Sequence, residues 1–427
     1  MTLTLKATAW LVLAVAAAQA ATSSPTDQEI AKASALATAK PDSPQAWERY
    51  GDALMQKGRE TGDASYAGRA ESAYKKTLSL NPKRVDAMIG VAWVLGVRHE
   101  FEASMEWAMK ALAVDPKSVA AYGLMGDAAV ELGNYDQAYE QYQKMLDLRP
   151  DLSSYGRSAH LLHIMGDTRR ASVLMQKAVQ AGSPYAENTA WCRAQLALIL
   201  FSEGAYMPAE QVLEAGLQNA PNDYRLLAAM GKVAAAKKDF PRAIENYKKS
   251  TEILPQQETV AALGDLYTLT GRAEEARKQY QMVETIAQLN RANGVTGDMT
   301  TARFYADHGT KLPEALKMAE EEYRTRKNVY AADTLAWCYF KNGNFAEARK
   351  YIDLALAQKT PEAAFHFHKG MIYAAAGDSG TARRELYNAL SINPNFDPLQ
   401  VPLAIKKIDE LGSNAPAAAK PTQPSSR

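Results

Sequence analysis

His160 and His163 stand three residues apart in "SAHLLHIMGD", a spacing that puts both imidazoles on one face of a helix. Imidazole is a common metal ligand, but a zinc site needs three or four ligands, so this pair is incomplete by itself. His366 and His368 are two apart and point away from each other on a helix, which denies them a shared ion. The carboxylates of Glu320, Glu321 and Glu322 have the chemistry for acid–base work, yet as a run on a helix they read as a solvated face. The two cysteines, Cys192 and Cys338, each sit inside an apolar helical pattern and read as buried thiols. A Gly-rich phosphate loop, C-x-x-C, H-E-x-x-H and G-x-S-x-G are all absent. With 49 Lys plus Arg against 48 Asp plus Glu, no bias toward polyanions shows. No catalytic residue, metal or cofactor is assigned. A metal-binding protein or enzyme centred on His160 and His163 is the reading from another class.

The elements that must position any site are legible as a period. An alanine or serine recurs at Ala70, Ser104, Ala138, Ala171, Ala209, Ala243, Ala276, Ala315, Ala348 and Ala382. The unit is therefore 34 residues with two insertions of a few residues. Twelve positions upstream stands a second small residue, at Ala92, Gly126, Ala159, Ala197, Gly231, Gly264, Ala336 and Gly370, with Gly51 displaced. Arg303 alone breaks that series. Proline follows the alanine by twelve at Pro82, Pro116, Pro150, Pro221, Pro255 and Pro394, with Pro184 and Pro361 one residue later. A small residue on each helix permits close backbone approach at a crossing. Glycines at 58, 133, 166, 204, 271, 343 and 377 fall where a left-handed residue would cap the first helix, and proline ends the second. One unit is helix, turn, helix, turn, and neighbouring units stack to bury a continuous core.

The ends read differently. Lys6 precedes the apolar run Ala7 to Ala18, followed by "AQA" at Ala18 to Ala20, the pattern of a secretory leader cut after Ala20. Residues 413–427 are rich in Pro, Ala and Ser and lack the apolar side chains for a core. Between them, 26–185 read as a leading helix and repeats one to four, 186–288 as repeats five to seven, 296–394 as repeats eight to ten, and 395–412 as a closing helix. Three stretches depart from the period: Arg59 to Tyr66 lengthens the turn of the first repeat, while Ala181 to Thr189 and Ile286 to Gly297 lie between repeats.

The pattern resembles the tetratricopeptide repeat (TPR), with "VYAADTLAWCYFKNGNFAEARKYIDLAL" (329–356) the nearest copy. The resemblance implies an all-α, right-handed α-solenoid of about ten repeats whose first helices line a concave groove. Ligands of such folds usually touch the second, fifth, ninth, twelfth and thirteenth positions of the unit. Carried onto this register, those positions give Trp191, Leu198, Phe201, Phe304, Tyr330, Asp333, Trp337, Phe340, Phe367 and Met371, with His160, His163 and Asp127 in earlier repeats. No ninth position is Asn, which disfavours the carboxylate clamp of chaperone-binding members. The resemblance further implies a non-catalytic scaffold for a protein or peptide partner in the bacterial cell envelope, periplasmic or secreted, without nucleic acid. A polysaccharide-export accessory role is the alternative within the binding class.

Overall fold

The computed structural model describes residues 24–63, 65–182, 186–292 and 298–413. The expected leader, residues 1–20, and all but the first residue of the 413–427 tail lie outside them. Among the described residues every regular element is a helix, 22 in all. Contacts divide the chain into two compact units, Met1–Arg98 with Ala103–Ser118, and His99–Glu102 with Val119–Arg427.

The first unit holds the leading helix α1 (Pro25–Ala39), the hairpin α2 (Pro44–Thr61) and α3 (Ser65–Leu80), α4 (Val85–Val97), and most of α5 (Phe101–Val114). Glu48 and Arg84 tie successive repeats through two hydrogen bonds of 2.7 and 2.8 Å. In the second unit the hairpins are α6 (Val119–Glu131) with α7 (Tyr135–Leu148), α8 (Leu152–Ile164) with α9 (Thr168–Ala181), and α10 (Ala186–Ser202) with α11 (Tyr206–Asn219). Then come α12 (Tyr224–Ala236) with α13 (Phe240–Ile253), α14 (Gln257–Leu269) with α15 (Ala273–Ala292), and α16 (Met299–His308) with α17 (Leu312–Thr325). Last are α18 (Val329–Lys341) with α19 (Phe345–Ala355), α20 (Ala363–Ala375) with α21 (Ser379–Ile392), and the closing helix α22 (Gln400–Ser413).

In repeats four, six, nine and ten the second helix starts on a side-chain cap: Asp167, Asp239, Asn344 and Asp378 each accept from the backbone N–H three residues on. The first helix ends on a left-handed residue, as the period requires, at Gly133, Gly166, Gly204, Gly271, Gly343 and Gly377. Gly58 is not one of these caps. The extra residues of the first repeat continue α2 to Thr61, and Gly62 takes the left-handed position with φ 67°. The insertion thus lengthens a helix rather than its turn. The same holds for Ile286 to Ala292, expected between repeats and in fact the last two turns of α15. Ala287 there is fully buried and Arg291 pairs with Glu314 at 2.7 Å, so the extension has partners that favour helix over loop. Likewise α10 begins at Ala186, inside the stretch expected to link repeats four and five.

The upstream small residues have a more specific cause than backbone approach. A Cβ built on Gly126 would lie 2.2 Å from the ring of Tyr142, one on Gly231 2.5 Å from Tyr247, and one on Gly264 2.5 Å from Tyr280. Each tyrosine stands four residues after the periodic alanine, and its ring fills the place a side chain would take. The Tyr142 and Tyr280 hydroxyls donate to Asp127 and Asp265, both at 2.8 Å. Gly126→Ala is accordingly expected to destabilise by about 1–3 kcal/mol through overpacking, measurable as a lowered urea midpoint. An unchanged midpoint would mean the ring has room to shift.

Within the second unit the stack comes round on itself. The turns inside repeats three, four and five meet the connections that follow repeats eight, nine and ten, and each contact caps the end of a first helix. Glu131 O accepts from Lys327 N at 2.7 Å, Ile164 O from Thr360 Oγ1 at 2.6 Å, and Phe201 O from Asn393 Nδ2 at 2.7 Å. The Glu131 carboxylate also takes Arg326 Nε (2.5 Å), Arg326 Nη2 (3.0 Å) and Asn328 Nδ2 (2.6 Å). Tyr135 Oη accepts from Val329 N at 2.9 Å and Tyr206 Oη from Asn395 N at 3.2 Å. A Cβ on Gly133 or Gly166 would lie 2.7 Å from the facing carbonyl oxygens of Lys327 and Lys359. Glycine at these two turns serves both the left-handed φ and the approach of a second backbone. This seam satisfies helix-end carbonyls that would otherwise rely on water.

Candidate functional site

The first helices of repeats five, six and seven, α10, α12 and α14, line a cavity of about 490 Å3 whose far wall is the segment Asn395 to Pro398. The seam bonds of Asn393 and Asn395 to repeat five hold that segment in place, and Phe396 anchors it in the core beside Phe367, ring centroids 5.9 Å apart. Trp191, Leu198, Tyr224, Tyr247 and Phe396 supply the apolar lining. A cavity of this size, apolar with a few polar groups, is large enough to hold a ligand.

Charge enters at equivalent places in two adjacent repeats. Arg225 and Lys232 sit on α12, and Glu258 and Asp265 sit 33 residues later on α14, all four lining the cavity. Arg225 is matched by its own helix cap, Asp223, through Nη2 at 2.6 Å. Asp265 is matched by His308, whose Nε2 lies 2.8 Å away while Nδ1 faces the Phe304 carbonyl at 2.8 Å. Burial works against charge on His308, but the bond to Asp265 and its field outweigh it and hold the pKa above the ordinary value. Lys232 faces no carboxylate at ion-pair distance among the described residues; its Nζ stands 5.0 Å over the Phe201 ring. Asp397 caps α22 through Leu399 N and Gln400 N, both at 2.8 Å, and has no cationic partner among the described residues. Burial, with the Asp307 and Asp265 carboxylates adding to it, pushes Asp397 up to about 6.

That shift has a sign. An acid whose folded pKa exceeds its unfolded value of about 3.9 holds more protons folded than unfolded between those values, so its contribution to stability falls as pH rises through that window. Asn can keep the cap without the charge. Asp397→Asn should therefore raise Tm relative to wild type at pH 7.5, with the gain gone by pH 4. A gain independent of pH would mean the carboxylate is not the cause.

The ten residues placed in the groove by register divide into groups. Trp191 and Leu198 line the cavity. Phe201 is buried beside Tyr206. Phe304, Trp337 and Phe367 are buried in one core cluster with Phe340 and Met371 packed against it. Tyr330 is half-buried, edge-on to Phe365 at 5.6 Å. Asp333 is 1% exposed and accepts from Arg303 Nη1 at 2.6 Å, with His368 Nδ1 2.7 Å away. Arg303 also reaches Asp307 (3.2 Å), which takes Trp337 Nε1 (2.8 Å), and the Trp337 ring stacks on His368 at 4.2 Å. The break in the small-residue series at Arg303 is thus the hub of a buried polar network joining three repeats.

Elsewhere, Asp127 is bound by Arg157 at 2.8 Å. His163 Nε2 lies 3.6 Å from Glu362, across the seam, and His160 is half-buried. Among the described residues no group of three or more His, Cys, Asp or Glu side chains is placed to hold a metal ion. Cys192 and Cys338 are fully buried free thiols, pushed up to about 12 by burial. The register residues named above do not include the charged lining of repeats six and seven, although the same second and ninth positions give Arg225, Lys232, Glu258 and Asp265 directly.

The tetratricopeptide repeat family profile matches residues 119–152 and 334–398, the hairpins α6–α7 and α18 to α21. These two stretches carry tetratricopeptide repeats. The chain's likeness to known proteins is broad and distant. It is 25% identical over 322 residues to the CTR9 homologue of Arabidopsis thaliana, spanning 65% of this chain and 28% of that protein. To small glutamine-rich tetratricopeptide repeat-containing protein 2 of Mycosarcoma maydis it is 30% identical over 97 residues, 23% of this chain and 28% of the other. The chain thus spans little more than a quarter of the length of these curated relatives. Among solved structures, human IFIT1 as a dimer with m7Gppp-AAAA superposes with a TM-score of 0.51 at 16% identity, over 74% of this chain and 72% of that one. At that identity the likeness concerns the fold.

Proposed function

We propose that the chain is a non-catalytic scaffold of the bacterial cell envelope that holds a protein or peptide partner in the concave cavity between α10, α12 and α14. The observation that carries the reading is the cavity itself, lined by first helices of three successive repeats and bearing apolar rings beside charges that the chain leaves unmatched. TPR folds generally bind polypeptides, and a groove of this kind supplies apolar area for affinity with a few polar groups for orientation. Placement in the envelope rests on Lys6, the apolar run to Ala18 and the small residues at Ala18 and Ala20.

Two measurements test it. Mass spectrometry of the chain from a bacterial host is expected to find an N-terminus at Ala21 in the periplasm or medium, and a Met1 terminus in the cytoplasm would refute export. Trp191→Ala with Leu198→Ala is expected to abolish retention of the protein captured by wild type, with helicity by circular dichroism intact. Undiminished retention would remove the cavity from the account.

A further inference from the structure

We infer that Asn393 and Tyr206 form a latch, and that the cavity between α10, α12 and α14 opens as the seam parts at this last contact while the rest of the fold holds. As a gate on partner entry the inference rests on the cavity being the binding site; as a statement about access it stands alone. Asn393 is 1% exposed. Its Nδ2 donates to Phe201 O at 2.7 Å, and its Oδ1 accepts from the Tyr206 hydroxyl and from Asn395 N at 3.0 Å. Asn395 N also donates to Tyr206 Oη at 3.2 Å.

The seam is loosest here. At repeats three and four a Cβ on the turn glycine would lie 2.7 Å from a facing carbonyl oxygen, whereas one on Gly204 would lie 3.6 Å from Ile392 O and Pro394 Cδ, an ordinary contact distance. The first two contacts also set Arg326 against Glu131 and His163 against Glu362, while Asn393, Tyr206 and Asn395 are all uncharged. The walls that the latch joins belong to different apolar clusters. Ala194 and Phe201 pack in one, with Tyr206 against it; Phe396 packs in the other with Phe304, Trp337 and Phe367, and Ile392 lies against that cluster. Parting the latch breaks hydrogen bonds and leaves both clusters whole, a local opening that costs less than global unfolding. Solenoid repeats touch only their neighbours, so a small change of twist at each repeat accommodates it. Coverage follows the latch. Ala194 and Ala228 are equivalent positions 34 residues apart and both line the cavity, but Ala194, in the latched repeat, is 3% exposed and Ala228 is half-buried. An occupant touching both walls would in turn hold the latch shut.

The test is Ala194→Cys in the full chain, with N-ethylmaleimide labelling under native conditions followed by mass spectrometry at position 194 and at the native Cys192 and Cys338, both fully buried. Adding Asn393→Ala is expected to speed labelling at position 194 by about tenfold, the worth of about one net hydrogen bond or slightly more, while Cys192 and Cys338 keep their rates. Tyr206→Phe should act in the same direction by a smaller factor, and it decides the matter if Asn393→Ala does not fold. Unchanged labelling at position 194 in both variants would overturn the latch, as would equal acceleration of all three thiols, which would mean that opening is global. Labelling needs no partner, so it stands or falls separately from the retention test with Trp191→Ala and Leu198→Ala.

Discussion

Replacing Asp333 with alanine is expected to cost about 3 kcal/mol of unfolding free energy, the largest effect of any single substitution considered for this chain. Asp333 and His368 are 1% and 0% exposed. The carboxylate accepts from both Arg303 and His368. Burial pushes the His368 pKa down, and the geometry agrees: Nδ1 faces the Asp333 carboxylate, an acceptor, while Nε2 lies 3.3 Å from the Arg303 guanidinium, which can only donate. Burial works against the Asp333 carboxylate, but the Arg303 charge and the hydrogen bonds from Arg303 and His368 hold it below the usual carboxylate range. Truncation leaves a largely buried guanidinium facing an unsatisfied imidazole; removing one member of such a pair typically costs about 3–5 kcal/mol, and Arg303, a quarter exposed at its side chain, keeps the value at the low end. Asp333→Asn retains one acceptor and should lose less. Urea titration measures both. A loss below about 1 kcal/mol for the alanine variant would show that water replaces the carboxylate, as at surface sites.

Glu131→Ala should open the seam. It deletes three hydrogen bonds, two of them from the Arg326 guanidinium, and charge-assisted bonds of this kind are worth about 1.5–3 kcal/mol. Lys327 N–H, which donates to Glu131 O, reports the seam directly through hydrogen exchange. Its exchange should quicken by about thirtyfold, the equivalent of about 2 kcal/mol, while amides inside α12 and α13 keep their protection. If Lys327 slows or holds with the rest of the unit, the seam does not open separately from global unfolding.

Much of this fold is legible in sequence because a hairpin is a local object. The alanine period, the glycine after each first helix and the proline after each second arise from contacts within about 34 residues. Gly58 misled because an insertion can extend a helix as well as a loop, and α2 and α15 both did so. The seam has no local signature: Glu131 and Arg326 are 195 residues apart, and the feature that brings them together is a small twist added at every repeat. At the site, Trp191 and Leu198 were readable from their register positions. Lys232 and Asp265 occupy the same ninth position as Leu198 and are equally legible there, and a groove selects its ligand by charge as well as by apolar area. Asp397 lies outside the repeats altogether and reaches the cavity only because the seam returns that connection to repeat five.

The central claim, that a polypeptide partner occupies the cavity between α10, α12 and α14, is tested most directly by a photo-crosslinking amino acid placed at Gln195, which lines the cavity, and in parallel at Val173, exposed on α9 and outside it. Illumination in the native host should give a discrete protein adduct from position 195 and none from position 173. An adduct from 173 with none from 195 would contradict the claim.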